Sequence, residues 1–154
     1  MYIPIQLTFL VAFILKQELT KIPLFGWYLG GAGHVSVDRS AGASALRKMI
    51  EDTRRVLGAG RHIVIFPEGT RTKPGEHGRY HPGVIALYRE TGYKLVPAAL
   101  NSGQFWPRSI WRCRSGEIVV RFLPPLPPEM GRRELMTALE SAIETASREL
   151  LEEH

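Results

Sequence analysis

Short β-branched runs alternate with stripes of helical spacing along this chain, and that alternation narrows its fold more than any other feature. Val11-Ala12-Phe13-Ile14-Leu15 reads as a buried strand and His34-Val35-Ser36-Val37 as a second. His62-Ile63-Val64-Ile65-Phe66 reads as a central strand, because a continuous apolar run belongs where both sheet faces are covered. Leu95-Val96-Pro97-Ala98-Ala99-Leu100 and Ile118-Val119-Val120-Arg121-Phe122 complete the set. Between them, Ile22 to Leu29 predicts a short helix with Pro23 in its first turn. Ser40 is placed to cap a helix bearing Ala45, Leu46, Met49, Ile50, Thr53 and Leu57, ended by Gly58 and Gly60. Pro82 opens another through Val84, Leu87 and Tyr88, closed near Gly92. Leu135, Leu139, Ile143, Ala146 and Leu150 make one stripe of a last helix over 131–153, with acidic residues opposite. The expected fold is therefore α/β: a single layered domain over 1–154 whose central sheet is largely parallel and flanked by helices. Residues 1–11 take no firm assignment. The apolar stretch from Ile3 to Leu15 is shorter than the about 20 residues a spanning helix needs, and it lacks the basic start of a signal peptide.

A chain of 154 residues suits one core. Its single cysteine, Cys113, excludes an internal disulfide and a cysteine zinc site. The net charge of +5 favours anionic partners. Beyond Gly131, Glu134, Glu140, Glu144, Glu149, Glu152 and Glu153 outweigh Arg132, Arg133 and Arg148, so the basic excess lies upstream. Charge alone does not separate lipid from nucleic acid. No finger spacing or aromatic RNA-binding signature is present, so nucleic acid is not an expected partner.

In an α/β sheet, ligands gather where strands end. Phe66-Pro67-Glu68-Gly69-Thr70-Arg71-Thr72 occupies such a place. Gly69 permits a tight turn, Thr70 adds a hydroxyl, and the Arg71 fork suits a phosphate. Glu68 can orient that arginine or hold a ligand hydroxyl. The physics fits an anion-binding turn and a surface loop with an ion pair equally well. A second strand end, Val37-Asp38-Arg39, offers Arg39 to the same anion, or Asp38 to a structural salt bridge.

The string Phe66-Pro67-Glu68-Gly69-Thr70-Arg71 resembles the signature of the 1-acyl-sn-glycerol-3-phosphate acyltransferases. Three further segments resemble that family in order and spacing: Lys16-Gln17-Glu18-Leu19 leading to Ile22-Pro23-Leu24-Phe25-Gly26-Trp27, then Val37-Asp38-Arg39, then Val96-Pro97-Ala98 before Asn101-Ser102-Gly103. The resemblance runs from about Phe13 into the last helix. It implies a glycerophosphate-acyltransferase-like fold and a substrate site in which Glu68, Gly69, Thr70 and Arg71 bind the glycerol-phosphate acceptor. Arg39 would join the same phosphate, and Pro97 would shape the acyl-donor side. It implies lysophosphatidic acid or a related lysolipid as acceptor and acyl-CoA or acyl carrier protein as donor. No metal or prosthetic group is implied.

The family places its catalytic base in His-x-x-x-x-Asp upstream of the Lys16 segment, and no such motif exists in this sequence. The only aspartates are Asp38 and Asp52, and His34 lies one residue too close to Asp38. No catalytic residue is therefore assigned, and His62, His77 and His81 read as buried or solvated histidines. The expectation is an N-terminally incomplete acyltransferase domain, nearly inactive as it stands because loss of a general base costs about 10²–10⁴-fold. The alternative is a non-catalytic module that binds lysophospholipid or phosphate. Trp27, Tyr28, Phe105, Trp106, Ile110 and Trp111 with nearby arginines would supply a patch for an anionic membrane, at its cytoplasmic face and peripherally; core packing claims at least half of them.

Overall fold

The computed structural model describes residues 11–23, 25–38, 41–70, 72–107 and 110–153. They form two compact units. The first comprises the chain up to Phe66 with Arg89–Thr91, the second Pro67–Tyr88 with Gly92–His154.

In the first unit, β1 (Val11–Lys16) is the centre of a three-stranded parallel sheet. Its first half pairs with β3 (His62–Val64), Ala12 against Ile63, and its second half with β2 (Val35–Val37), Leu15 against Ser36. Parallel neighbours need long crossovers, and helices supply them. A 3-10 turn (Gln17–Lys21) and α1 (Phe25–Gly31) return the chain to β2, and α2 (Gly42–Gly58) returns it to β3. Ala12, Leu29, Val35 and Met49 are buried here, together with Thr53. The α2 stripe falls as expected, with Met49 and Thr53 inside and Ala45, Leu46, Ile50 and Leu57 partly covered. Ser40 lies outside the described residues. Ala41 occupies the cap position of α2 without a side-chain bond, and the Ser44 hydroxyl donates back to the Ala41 carbonyl.

In the second unit, which takes α3 (Gly83–Thr91) up to Tyr88, that helix starts after Pro82 and closes at Gly92, as the sequence predicts, with Val84, Ile85 and Leu87 buried. Strands β4 (Ala98–Leu100) and β5 (Val120–Phe122) pair antiparallel, Ala99 against Arg121. Both are shorter than expected. Pro97 has no N–H, so the regular ladder begins only at Ala98, although the Pro97 carbonyl still accepts from the Leu123 N–H at 2.9 Å. The long helix α5 (Arg132–Glu153) lies against β4 and buries Leu135, Leu139, Ala146 and Leu150. Its start is held by the Glu134 carboxylate, which accepts the Gly131 N–H at 3.2 Å. Ala99, Ala146 and Leu150 form a small core with Val119 and Leu123 packed on it. The α/β class with parallel strands and flanking helices is as expected.

Candidate functional site

The turn after β3 carries the predicted site. Gly69 sits at φ 62°, a left-handed conformation that side chains resist, which is why the turn needs glycine there. Glu68 is half-buried, and its Oε2 accepts from the Thr72 hydroxyl at 2.7 Å. Thr70 is exposed in the same turn. Arg71 and Arg39 lie outside the described residues. Pro97 is buried beside β4.

The loop folds back on its own start. The His81 N–H donates to the Pro67 carbonyl at 2.9 Å. Gly78 lies so close to Glu68 that a Cβ there would collide with the carboxylate. Glycine at 78 leaves the space that the Glu68 carboxylate occupies.

The far side of the loop is tied to α5. The Tyr80 hydroxyl donates to Glu144 Oε1 at 3.1 Å, and His77 Nδ1 meets Glu144 Oε2 at 2.9 Å. Burial, then the Glu144 carboxylate, push the Tyr80 hydroxyl far above its ordinary pKa, with smaller contributions from Glu68 and Glu140. Tyr80 is therefore a permanent donor, holding Glu144 in place while Glu144 orients the imidazole. His77 itself is 62% exposed, a solvated histidine as expected. The sequence reading missed Glu144. The helical stripe places it among the acidic residues opposite, whereas its side chain is only 18% exposed. The signal was present in its position beside Ile143, on the flank of the apolar stripe.

His34 is the other imidazole with an assigned structural bond. Its Nδ1 accepts the Phe13 N–H of β1 at 3.0 Å. In the neutral ring the proton then sits on Nε2, so neither nitrogen offers a free lone pair. Burial, then the Arg61 guanidinium, hold its pKa below the ordinary value and keep it neutral. A base oriented by aspartate needs Nδ1–H as donor. His34 has the opposite arrangement, so it is no substitute for the missing base. Arg61 is also spent on structure. It donates to the carbonyls of Gly33 (3.2 Å), Ala32 (2.8 Å) and Val11 (3.2 Å).

Among the described residues no cluster of histidine, cysteine and carboxylate side chains is placed to hold a metal. The described part of the loop presents a fixed carboxylate, suited to accept a hydrogen bond from a ligand hydroxyl. No helix among the described residues is long and apolar enough to cross a membrane.

Known proteins give this geometry a context. A family model described as Acyltransferase matches residues 5–101. A 1-acyl-sn-glycerol-3-phosphate acyltransferase of Pseudomonas aeruginosa is 36% identical over 116 residues, covering 75% of this chain and 45% of that protein. The human 1-acyl-sn-glycerol-3-phosphate acyltransferase alpha is 32% identical over 117 residues, covering 75% of this chain and 41% of its own length. The match thus spans less than half of these relatives. The crystal structure of the 1-acyl-sn-glycerophosphate (LPA) acyltransferase PlsC from Thermotoga maritima is similar at a TM-score of 0.71 and 27% identity, over 90% of this chain and 56% of that one.

Proposed function

We propose that this chain, which belongs to the 1-acyl-sn-glycerol-3-phosphate acyltransferase family, binds a lysophosphatidate-type acceptor at the turn Glu68–Arg71. The reaction it serves is transfer of a fatty acyl group from an acyl thioester, on CoA or acyl carrier protein, to the free hydroxyl of 1-acylglycerol 3-phosphate in phospholipid synthesis. The observation that carries this reading is the half-buried carboxylate of Glu68, held by the Thr72 hydroxyl in the turn that Gly69 makes. A carboxylate so held accepts from an acceptor hydroxyl, and the Arg71 fork meets the phosphate. Pro97 shapes the acyl-donor side.

The sequence contains no His-x-x-x-x-Asp, and His34 is occupied by Phe13. We therefore assign acceptor binding to these residues and expect acyl transfer by the 154 residues alone to fall by about 10²–10⁴-fold relative to a family member with its base. Titration with monomeric short-chain lysophosphatidate tests the binding. It should be saturable and weaken about tenfold or more in Arg71→Ala, the loss of a charge-assisted pair. Equal affinity in Arg71→Ala would refute the assignment. Full turnover by this chain would refute the need for an absent base, and binding without any turnover favours a non-catalytic lysolipid module.

A further inference from the structure

The chain between β4 and β5 leaves the sheet and comes back as a loop with a built neck. Asn101, at its root, is buried. Its Nδ2 donates to the Glu117 carbonyl at 3.2 Å, and its Oδ1 accepts the Val119 N–H at 2.9 Å. Both arms are thereby clamped by one amide side chain. A second rung lies further out. The Arg114 N–H donates to the Phe105 carbonyl at 2.9 Å, and Gly116 lies against the Phe105 ring so closely that any side chain there would collide. The short α4 (Ser102–Phe105) is tied down in turn, since Gln104 Nε2 donates to the Leu151 carbonyl of α5 at 3.2 Å.

Past this neck the loop holds two tryptophans in the open. Trp106 is 58% exposed and Trp111, on a 3-10 turn (Ile110–Arg112), is 91% exposed. Arg112 and Arg114 are exposed beside them. From Thr91 to Gly116 the sequence contains no acidic residue, against Lys94, Arg108, Arg112 and Arg114. The apolar surface continues on the sheet. Leu100, Val120 and Phe122 are all exposed and share one face, because Leu100 pairs with Val120 and β5 alternates. Ala99 and Arg121 take the opposite face towards α5, with Arg121 bonded to Glu149 and Glu153.

Large aromatic surface left in water opposes folding, so a neck that displays it needs a partner to recover the cost. Tryptophan beside arginine, in a stretch of sequence without acidic residues, has the chemistry of an anionic lipid surface. Indole rings settle at the headgroup boundary, and guanidinium groups meet lipid phosphates. We propose that Trp106, Trp111, Arg112 and Arg114 form a membrane-docking element. Trp106 and Trp111 enter the interfacial layer of an anionic bilayer, and Arg112 and Arg114 bind its phosphates. This deepens the function proposed above, whose lysolipid acceptor resides in such a layer, and it rests on that reading for its purpose only.

The test uses the whole chain and vesicles of phosphatidylcholine with and without phosphatidylglycerol, at low and high salt. Tryptophan emission with brominated lipid reports insertion, in a Trp27→Phe background so that the signal belongs to the loop. Vesicles with phosphatidylglycerol should bind at low salt and quench the loop tryptophans. Trp106→Ser with Trp111→Ser should lose on the order of tenfold or more in partitioning. Arg112→Gln with Arg114→Gln should lose a similar factor and most of the salt dependence. Unchanged circular dichroism identifies variants that remain folded. Vesicle binding indifferent to the tryptophan pair, no binding to any vesicle, or tight binding to duplex nucleic acid at physiological salt in its place would overturn the proposal. Monomeric lysophosphatidate separates the two ideas: the loop variants should bind it as the parent does, and Arg71→Ala should not.

Discussion

The parallel-stranded unit and the loop-bearing unit use their polar side chains in different ways. In the first, His34 and Arg61 are consumed by the backbone, one accepting the Phe13 N–H and the other donating to three carbonyls at the ends of strands. In the second, Glu68 accepts from Thr72, and Tyr80 and His77 both meet Glu144 across a loop. A polar group bonded to backbone is tied to the fold, and His34 held this way keeps only an Nε2–H donor and no lone pair for a proton. A polar group satisfied by other side chains keeps an oxygen or nitrogen available and a defined position. The contrast explains why His34, the imidazole nearest in spacing to the family's base, offers no base, and why the turn after β3 is the place proposed for the acceptor.

The largest test of that contrast removes Arg61. Arg61→Ala leaves three carbonyls without their charged donor and should cost about 3 kcal/mol, read as a fall in the urea midpoint. A change within error would mean that the carbonyls find water, and that Arg61 is free for other work. Tyr80→Phe addresses the other unit. It deletes one bond to Glu144 and should cost about 1 kcal/mol. Its sharper effect should be on the loop, with faster amide exchange over residues 72–81 and unchanged exchange in the parallel sheet. Equal exchange everywhere would show that Glu144 holds the loop without Tyr80.

The smallest effect is a pH dependence. His34 has its pKa lowered in the folded state by burial and then by Arg61, relative to an ordinary value of 6.5. The unfolded chain therefore takes up the proton first as pH falls. Stability from the neutral ring is present above about 6.5 and is lost as pH drops through the lower folded value. Urea midpoints at neutral and mildly acidic pH should diverge in the parent and converge in His34→Gln. Parallel slopes in both would assign the acid sensitivity to another group.

The strand–helix order was legible because it rests on local periodicity, which α2 and α5 display plainly in Met49, Thr53, Leu139 and Leu150. Strand ends were less so. Pro97 shortens β4 by withholding a donor from one particular partner, and only the register says which partner that is. The turn at Glu68 to Thr70 was readable from glycine and charge. The role of His34 was not, since its bond to Phe13 spans 21 residues and depends on how β1 lies between its neighbours. Glu144 was hidden for a similar reason: a helical wheel places it near the stripe's edge, but not which loop will meet it.

That glutamate has a further consequence for how such a chain comes into being. Tyr80 and Glu144 are 64 residues apart, and the acyltransferase family model matches residues 5–101. On a ribosome, the turn at Glu68 emerges long before the helix to which its loop is tied. That loop is thus among the last parts to gain its shape, and a fragment ending at residue 101 would keep the string Phe66–Arg71 yet lack Glu144, to which the loop is tied.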